Sequence, residues 1–473
     1  MNGFGEVFGK CLDEAGISQI AAAEAAECSR AMIYSVINGE KMLSENKFQT
    51  MVRELAFSDM QMENLRRSYY ESKYPDGVID KIYRIREYLR EDETDDKKNF
   101  DGVEPYLPDK TCTIRGLSLL CRTIIGIVYG SKAKIITNYP FSNTDADNAF
   151  FSALSAADED MDFIHIVEFE ADNKSPRNID NLFKSIRYIR KKYVPLMYYG
   201  NSGDGIGSEL LPYFIVSDKY AAFFDADFSM AVFSNEETIV NGVFVLAEKI
   251  VGKCKYIGML NDNIFDMKNF VQCADVAGTV SSMSNFTFFL PYASVDILKS
   301  IAPPNLDPAN RDILVELILN HYKGCAGGKM KRMMSVQGLE TFAREGIIAD
   351  FPKSMTVPMP CKYRIEVLET ILQQCEQSPE SCVFLDNTVL NVPDECFGII
   401  LFHNNFQICG SLPNSDTFVG QYVITDKNKN IQRDFKYFMD FIVRNRLYIP
   451  FEQIKLRIND LILECRRMQE QGV

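Results

Sequence analysis

Residues 219–234, KYAAFFDADFSMAVFS, set Asp225 and Asp227 on either side of one alanine, at the end of an apolar run. Carboxylates so placed can hold a divalent metal for glycosyl or phosphoryl transfer, or one can act as a nucleophile. Either chemistry needs companions, since a divalent site draws on several oxygen ligands. Asp262 and Asp266 of NDNIFD follow too soon for an intervening α/β core. GNSGDGIGSE is glycine-rich but has no phosphate-binding lysine and opens no clear helix, so it reads as a loop. His321-Tyr322-Lys323 begins a phosphodiesterase-type pair, but Gly328 stands where the aspartate is needed. The chain has 3 histidines, His165, His321 and His403, and no two are close in sequence. Its 13 cysteines include no CxxC pair, which argues for reduced thiols rather than zinc or disulfides. This reading is of a protein that is no enzyme, with no metal and no cofactor. A metal-dependent α/β enzyme of glycosyl- or phosphoryl-transfer type using Asp225 and Asp227 is the alternative, and a protein-interaction scaffold is a third class.

The elements around the aspartates give them another role. YFIVS, YAAFF and MAVFS read as a three-strand meander joined by the polar turns DK and DADFS. Aspartate suits such turns because its carboxylate accepts nearby backbone N–H groups. The equivalent turn near the C-terminus is expected at His403-Asn404-Asn405.

Composition sets the wider frame. The chain has 473 residues, 46% of them hydrophobic and 25% charged, with a mean hydropathy of -0.12. This is ordinary globular material of multidomain length. A net charge of -14 argues against broad attraction to nucleic acid or anionic lipid, though not against one small DNA-reading patch. There is no run of eighteen apolar residues and no basic–apolar leader, so no membrane is expected and the location is expected to be cytoplasmic.

The expected fold class is multidomain α + α/β. Residues 1–75 read as five short helices, with Ser18, Ser29, Ser44 and Ser58 placed to cap the last four. Residues 76–104 read as a helical and charged linker. Its Val78, Ile82, Ile85 and Leu89 form a narrow seam that would pair two copies. Residues 105–300 and 301–473 read as two similar α/β halves with mixed sheets. Ser234 with Glu237 predicts a capping box. The next helix carries Ile239, Val243, Leu246 and Ile250 at the same steps as Ile431, Phe435, Phe438 and Ile442, a sign of internal duplication.

The strongest motif is ISQIAAAEAAECSRAMIYSVINGEK, residues 17–41. Ser18-Gln19, Ala23, Cys28-Ser29-Arg30, Ile33, Val36 and Asn38-Gly39 fall at the spacing of two crossing helices and their turn. The stretch resembles the helix-turn-helix of the phage repressor and Cro-like, XRE-type regulators, over residues 1–75. The resemblance implies a five-helix lambda-repressor-like domain that binds double-stranded DNA. Ser29, Arg30, Ala31 and Tyr34 would then line the edge that enters the major groove. Arg30 can pair with guanine and Ala31 can meet a thymine methyl. Gln19, Asn38 and Lys41 would hold phosphates. The chain departs from the family at Glu27, where glycine is usual for a left-handed turn, and at Ala22, where leucine is usual. The implied protein is a bacterial transcriptional regulator acting as a homodimer, with the α/β region sensing a small-molecule or protein effector or serving assembly.

Overall fold

The computed structural model describes residues 3–90, 104–141, 161–188, 193–200, 210–257, 259–261, 279–287, 292–302, 331–348, 356–379, 381–391, 397–402, 406–411, 421–426 and 429–471, with scattered positions from 307 to 319. Several sequence features lie outside the described residues. They are the charged run 91–99 of the expected linker, the glycine-rich stretch 201–209, Asp262 with Asp266, His321 to Lys323, and His403 to Asn405.

The chain begins with α1 (Gly3–Glu14), α2 (Gln19–Ala25), α3 (Arg30–Ile37), α4 (Glu45–Glu54) and α5 (Asp59–Glu71). The serines set the starts. Ser18 and Ser29 each accept an N–H from the first turn, and Ser58 with Gln61 forms a reciprocal capping box. Ser44 sits at the cap of α4 without a side-chain bond. The core between these helices is aromatic. Phe48 stacks on Tyr69 with centroids 3.9 Å apart, Phe4 meets both edge-on, and the Tyr69 hydroxyl donates to the Leu43 carbonyl. Gly5 lets α1 lie directly on α3, since a Cβ there would stand 2.4 Å from the Val36 carbonyl oxygen.

Two mixed sheets follow. The first contains β1 (Cys112–Arg115), β2 (Lys134–Thr137), β3 (Asp162–Glu170), β4 (Tyr193–Gly200), β5 (Tyr213–Ser217), β6 (Ala221–Phe224), β7 (Met230–Ser234) and β8 (Lys255–Tyr256), in the order β1-β7-β6-β5-β2-β3-β4-β8. The second contains β9 (Met259–Asn261), β10 (Thr279–Ser284), β11 (Lys331–Ser335), β12 (Cys382–Leu385), β13 (Phe397–Phe402), β14 (Phe406–Ser411) and β15 (Gln421–Asp426), in the order β12-β11-β10-β13-β14-β15-β9.

The two sheets repeat one plan. β2, β3 and β4 are parallel, as are β10, β11 and β12. Antiparallel meanders β5–β6–β7 and β13–β14–β15 extend from β2 and β10. β1 closes the first meander and β9 the second. Even the pairing of β8 with β4 has its counterpart, a bridge between Ile449 and Phe384 of β12.

This topology moves one expected boundary. β9 and β10 belong to the second sheet, so the second α/β unit starts at 259 rather than 301. It also re-pairs the turns. The turn holding Asp225 joins β6 to β7 and answers to the β14–β15 connection, whereas 403–405 lies between β13 and β14.

Helices cover the sheets. α7 (Leu117–Gly130), α8 (Arg177–Tyr188) and α9 (Glu237–Val251) belong to the first unit. α10 (Val295–Ile301), α11 (Val336–Glu345), α12 (Cys361–Gln377), α13 (Lys429–Arg444) and α14 (Phe451–Glu470) belong to the second. α9 lies on the first sheet through Val240 and Ala247, against Ile136, Ile166 and Val216. α11, α12 and α14 share a core with Met334 and Phe384 of the second sheet. The central layer joins α8 to α13, where Phe183 packs on Phe397 and Phe435.

The linker expectation is corrected here. Residues 78–88 form α6 (Val78–Tyr88), a helix buried between α8 and α13. Val78, Ile82, Ile85 and Leu89 are at most 6% exposed inside one chain, so they cannot pair two copies. Two local expectations also fail. Glu236, not Ser234, stands at the N-cap of α9, without a side-chain capping bond, and the Ser234 hydroxyl instead accepts the Glu236 N–H and bonds Thr111. On α9 the expected stripe splits, since Ile239 and Leu246 face outward at 39% and 60% exposed while Val243 and Ile250 pack on the first sheet.

Candidate nucleic-acid interface

α2 and α3 cross through small residues. Ala22, Ala23 and Ala26 are buried, as are Ile33 and Val36 on the inner face of α3. The opposite face is open. Ser29, Arg30, Ala31, Tyr34, Asn38 and Lys41 are all exposed, Tyr34 at 57%, while Gln19 is half-buried at the first position of α2. Within α3 the exposed Arg30, Ala31, Tyr34 and the C-cap Asn38 lie opposite the buried Ile33 and Val36. Ser29 has a second task, because its Oγ accepts the Met32 N–H at 3.2 Å and starts α3. Asn38 is the C-cap of α3, and Lys41 follows in the loop to α4.

Glu27, in the turn between α2 and α3, has φ +48°. The left-handed turn is thus made by a residue with a Cβ, at a steric cost glycine would not carry. Lys47 of α4 donates to the Glu27 carbonyl at 3.2 Å, a cation the sequence reading missed because its partner is a backbone oxygen.

The helical unit is docked on α13. Gln49 Nε2 donates to Asn445 Oδ1 at 2.9 Å, Tyr70 meets Phe441 edge-on, and Arg444 donates to the Tyr74 hydroxyl. α4, α5 and α6 thus contact the second α/β unit directly.

Asp225 is occupied by its own turn. One carboxylate oxygen accepts the N–H groups of Ser229 and Met230 at 2.8 and 3.0 Å, and the other accepts the Ser229 hydroxyl. Slight burial works to raise its pKa, but these bonds outweigh it and hold the carboxyl below its ordinary value. Asp227 is exposed. Among the described residues, no group of three or more His, Cys, Asp or Glu side chains is placed to hold a metal ion.

His165 is wholly buried in β3. Its Nε2 lies 2.6 Å from the Tyr139 carbonyl and its Nδ1 2.7 Å from the Tyr193 hydroxyl. A carbonyl only accepts, so Nε2 carries the hydrogen and Nδ1 accepts from Tyr193. Burial draws its pKa down to about 4, against a small opposing effect of the Tyr139 carbonyl.

A cavity of about 140 Å³ opens beyond the C-terminal ends of β2 and β3. Asn138, Phe141, Glu168, Arg177, Asn181 and Tyr213 line it. Arg177 faces Glu168 at 3.7 Å, and Asn181 donates to the Glu168 carbonyl. Among the described residues, no helix is long and apolar enough to cross a membrane.

No family model matches the sequence, and no curated protein does. Solved structures give low likenesses. NucT from Helicobacter pylori has a TM-score of 0.24 at 12% identity, over 31% of this chain and 98% of that one. TrmBL2, an archaeal chromatin protein, has a TM-score of 0.23 at 11% identity, over 50% and 88%. Polyphosphate kinase from Porphyromonas gingivalis has a TM-score of 0.23 at 12% identity, over 70% and 50%. At such scores these likenesses carry no argument about function.

Proposed function

We propose that this chain is a sequence-specific DNA-binding transcriptional regulator of the phage-repressor type, acting as a homodimer in the cytoplasm. The observation that carries the reading is α3. Its inner face is sealed by Ile33 and Val36, while Arg30, Ala31 and Tyr34 project together from its first turns. A helix of this kind reads base edges in the major groove, with Arg30 on guanine and Ala31 beside a thymine methyl. Gln19, Asn38 and Lys41 flank it as phosphate contacts. The five helices α1 to α5 are the proposed lambda-repressor-like domain.

The α/β units supply sensing or assembly. The cavity beside Arg177 suits a small effector, since open α/β sheets take ligands beyond the carboxyl ends of their parallel strands. Docking of α4, α5 and α6 on α13 offers a path from such a ligand to the DNA face.

The test is a genome-wide binding map of the tagged protein, followed by Arg30→Ala on the site it finds. The substitution should cost about 1–3 kcal/mol on that site, relax one base position and change random-DNA binding far less. Equal loss on both DNAs would remove the base-reading role.

A further inference from the structure

Cys375 stands near the end of α12, and Cys382 opens β12 at one end of the second sheet. The connection between them turns the chain back on itself. The two buried sulfurs therefore meet, and the Cys375 thiol donates to the Cys382 sulfur. The Tyr292 hydroxyl bonds the same sulfur. Arg332 stands beside Cys382 in the parallel register of β11 and β12. Its Nη1 donates to the Tyr292 hydroxyl at 3.1 Å and to Gln374 Oε1 at 2.8 Å, and its guanidinium carbon lies 5.1 Å from the centre of the Tyr292 ring. A buried guanidinium thus reaches from Gln374, next to Cys375, to the strand that carries Cys382.

These contacts make the two sulfurs unlike. The bond from Cys375 draws the Cys382 thiol below its ordinary pKa, burial opposes it, and Arg332 and the Tyr292 hydroxyl reinforce it. The same bond, with burial, pushes the Cys375 thiol up. One sulfur is thus prepared to attack, beside a second that keeps its proton until it is needed. A cation next to the attacking sulfur and a thiol within reach of it are what stepwise thiol oxidation requires. The connection at 376–379 is exposed, and hydrogen peroxide is little larger than water, so the path from solvent to the pair is short.

We propose that Cys375 and Cys382 are a modification site, oxidised by a hydroperoxide to a reversible disulfide within one chain. The Cys382 sulfur attacks one peroxide oxygen and breaks the O–O bond, leaving a sulfenic acid and releasing an alcohol, or water from hydrogen peroxide itself. Cys375 then attacks the Cys382 sulfur, forms the S–S bond and expels the hydroxyl, which leaves as water with the Cys375 proton. Two thiols are oxidised and one peroxide is reduced. A thiol reductant reverses the step by exchange. The disulfide ties the end of α12 to the start of β12. It does not depend on the regulator reading, because neither cysteine belongs to α1–α5 or lines the cavity beside Arg177.

Peptide mapping of the full chain tests it. The reduced protein is treated with one equivalent of hydrogen peroxide, its remaining thiols are alkylated, and it is cut after glutamate without reductant. Glu376 and Glu380 part the two cysteines, so the disulfide is read as a link between peptides 370–376 and 381–395. That linked pair should be the main oxidised product and should disappear with dithiothreitol. It should form roughly tenfold faster in the folded chain than in concentrated urea, where Arg332 and Tyr292 no longer surround Cys382. In Cys375→Ser, dimedone should capture a sulfenic acid on Cys382. No linked pair in the wild type, a link to some other cysteine as the main product, or equal rates in the folded and unfolded chains would overturn the proposal. None of those outcomes bears on Arg30, whose test is read on DNA.

Discussion

Lys81 Nζ lies 3.3 Å from Asp434 Oδ2, with the two side chains only 4% and 1% exposed. The pair joins α6 to α13, and the β3–α8 loop completes it. Asn173 Nδ2 donates to the same carboxylate oxygen at 2.6 Å, and Lys81 donates to the Asn173 carbonyl. One buried polar cluster thus ties the N-terminal helices to both α/β units. Burial raises the Asp434 pKa, against the pull of Asn173 and Lys81. Lys81→Met should cost about 3–5 kcal/mol, because it strands a buried carboxylate. Lys81→Met with Asp434→Leu should recover most of that loss, as measured by urea unfolding. If the double variant is no better than the single, the cluster acts through geometry that apolar side chains cannot supply.

Glu27 gives the second prediction. Its φ of +48° is a conformation that glycine adopts freely. Glu27→Gly should stabilise the fold by about 1 kcal/mol while leaving the Lys47 bond to the residue-27 carbonyl in place. The midpoint of urea unfolding should rise. An unchanged or lower midpoint would mean that the Glu27 side chain stabilises the turn by more than its backbone strain costs.

The Asp225 turn separates a structural carboxylate from a catalytic one. Asp225→Asn keeps an oxygen for the Ser229 and Met230 N–H groups and should be nearly neutral. Asp225→Ala removes those acceptors and should cost about 1–2 kcal/mol. Thermal melts of the wild type and Asp225→Asn should show the same response to Mg²⁺ or Mn²⁺. A shift of several degrees in the wild type that vanishes in Asp225→Asn would bring a metal-dependent enzyme forward.

Local signals were the legible part of this fold. Serine caps declared α2, α3 and α5, and apolar runs broken by polar turns declared β5 to β7. The repeated helix stripe pointed to the duplication, whose plan then appears strand by strand. What a stripe cannot show is which way it faces. Ile239 and Ile431 sit in matching patterns, yet one is outward and the other buried, because burial is decided by α6, distant in sequence. The same limit made α6 look like a dimer seam. The exposed edge of α3 was readable because short-range spacing defines it. The docking of Gln49 on Asn445 was not, because it joins residues at opposite ends of the chain.

His165 supplies a pH dependence of fixed sign. Its pKa is about 4 in the fold, against an ordinary 6.5. Above pH 6.5 both folded and unfolded chains carry it neutral, and it contributes no slope. As pH falls below 6.5 the unfolded chain takes up a proton that the folded chain refuses until about 4, so stability is lost across that window. By pH 5 the loss should be about 2 kcal/mol from this residue alone. His165→Gln can still donate to the Tyr139 carbonyl but cannot titrate. It should be less stable than the wild type at pH 7.5, and the gap should narrow by about that amount at pH 5. Urea unfolding followed by far-UV circular dichroism suits a chain with no tryptophan. A gap of constant size at both pH values would show that His165 takes up its proton equally in the folded and unfolded chains, and that its burial does not set the acid sensitivity of the protein.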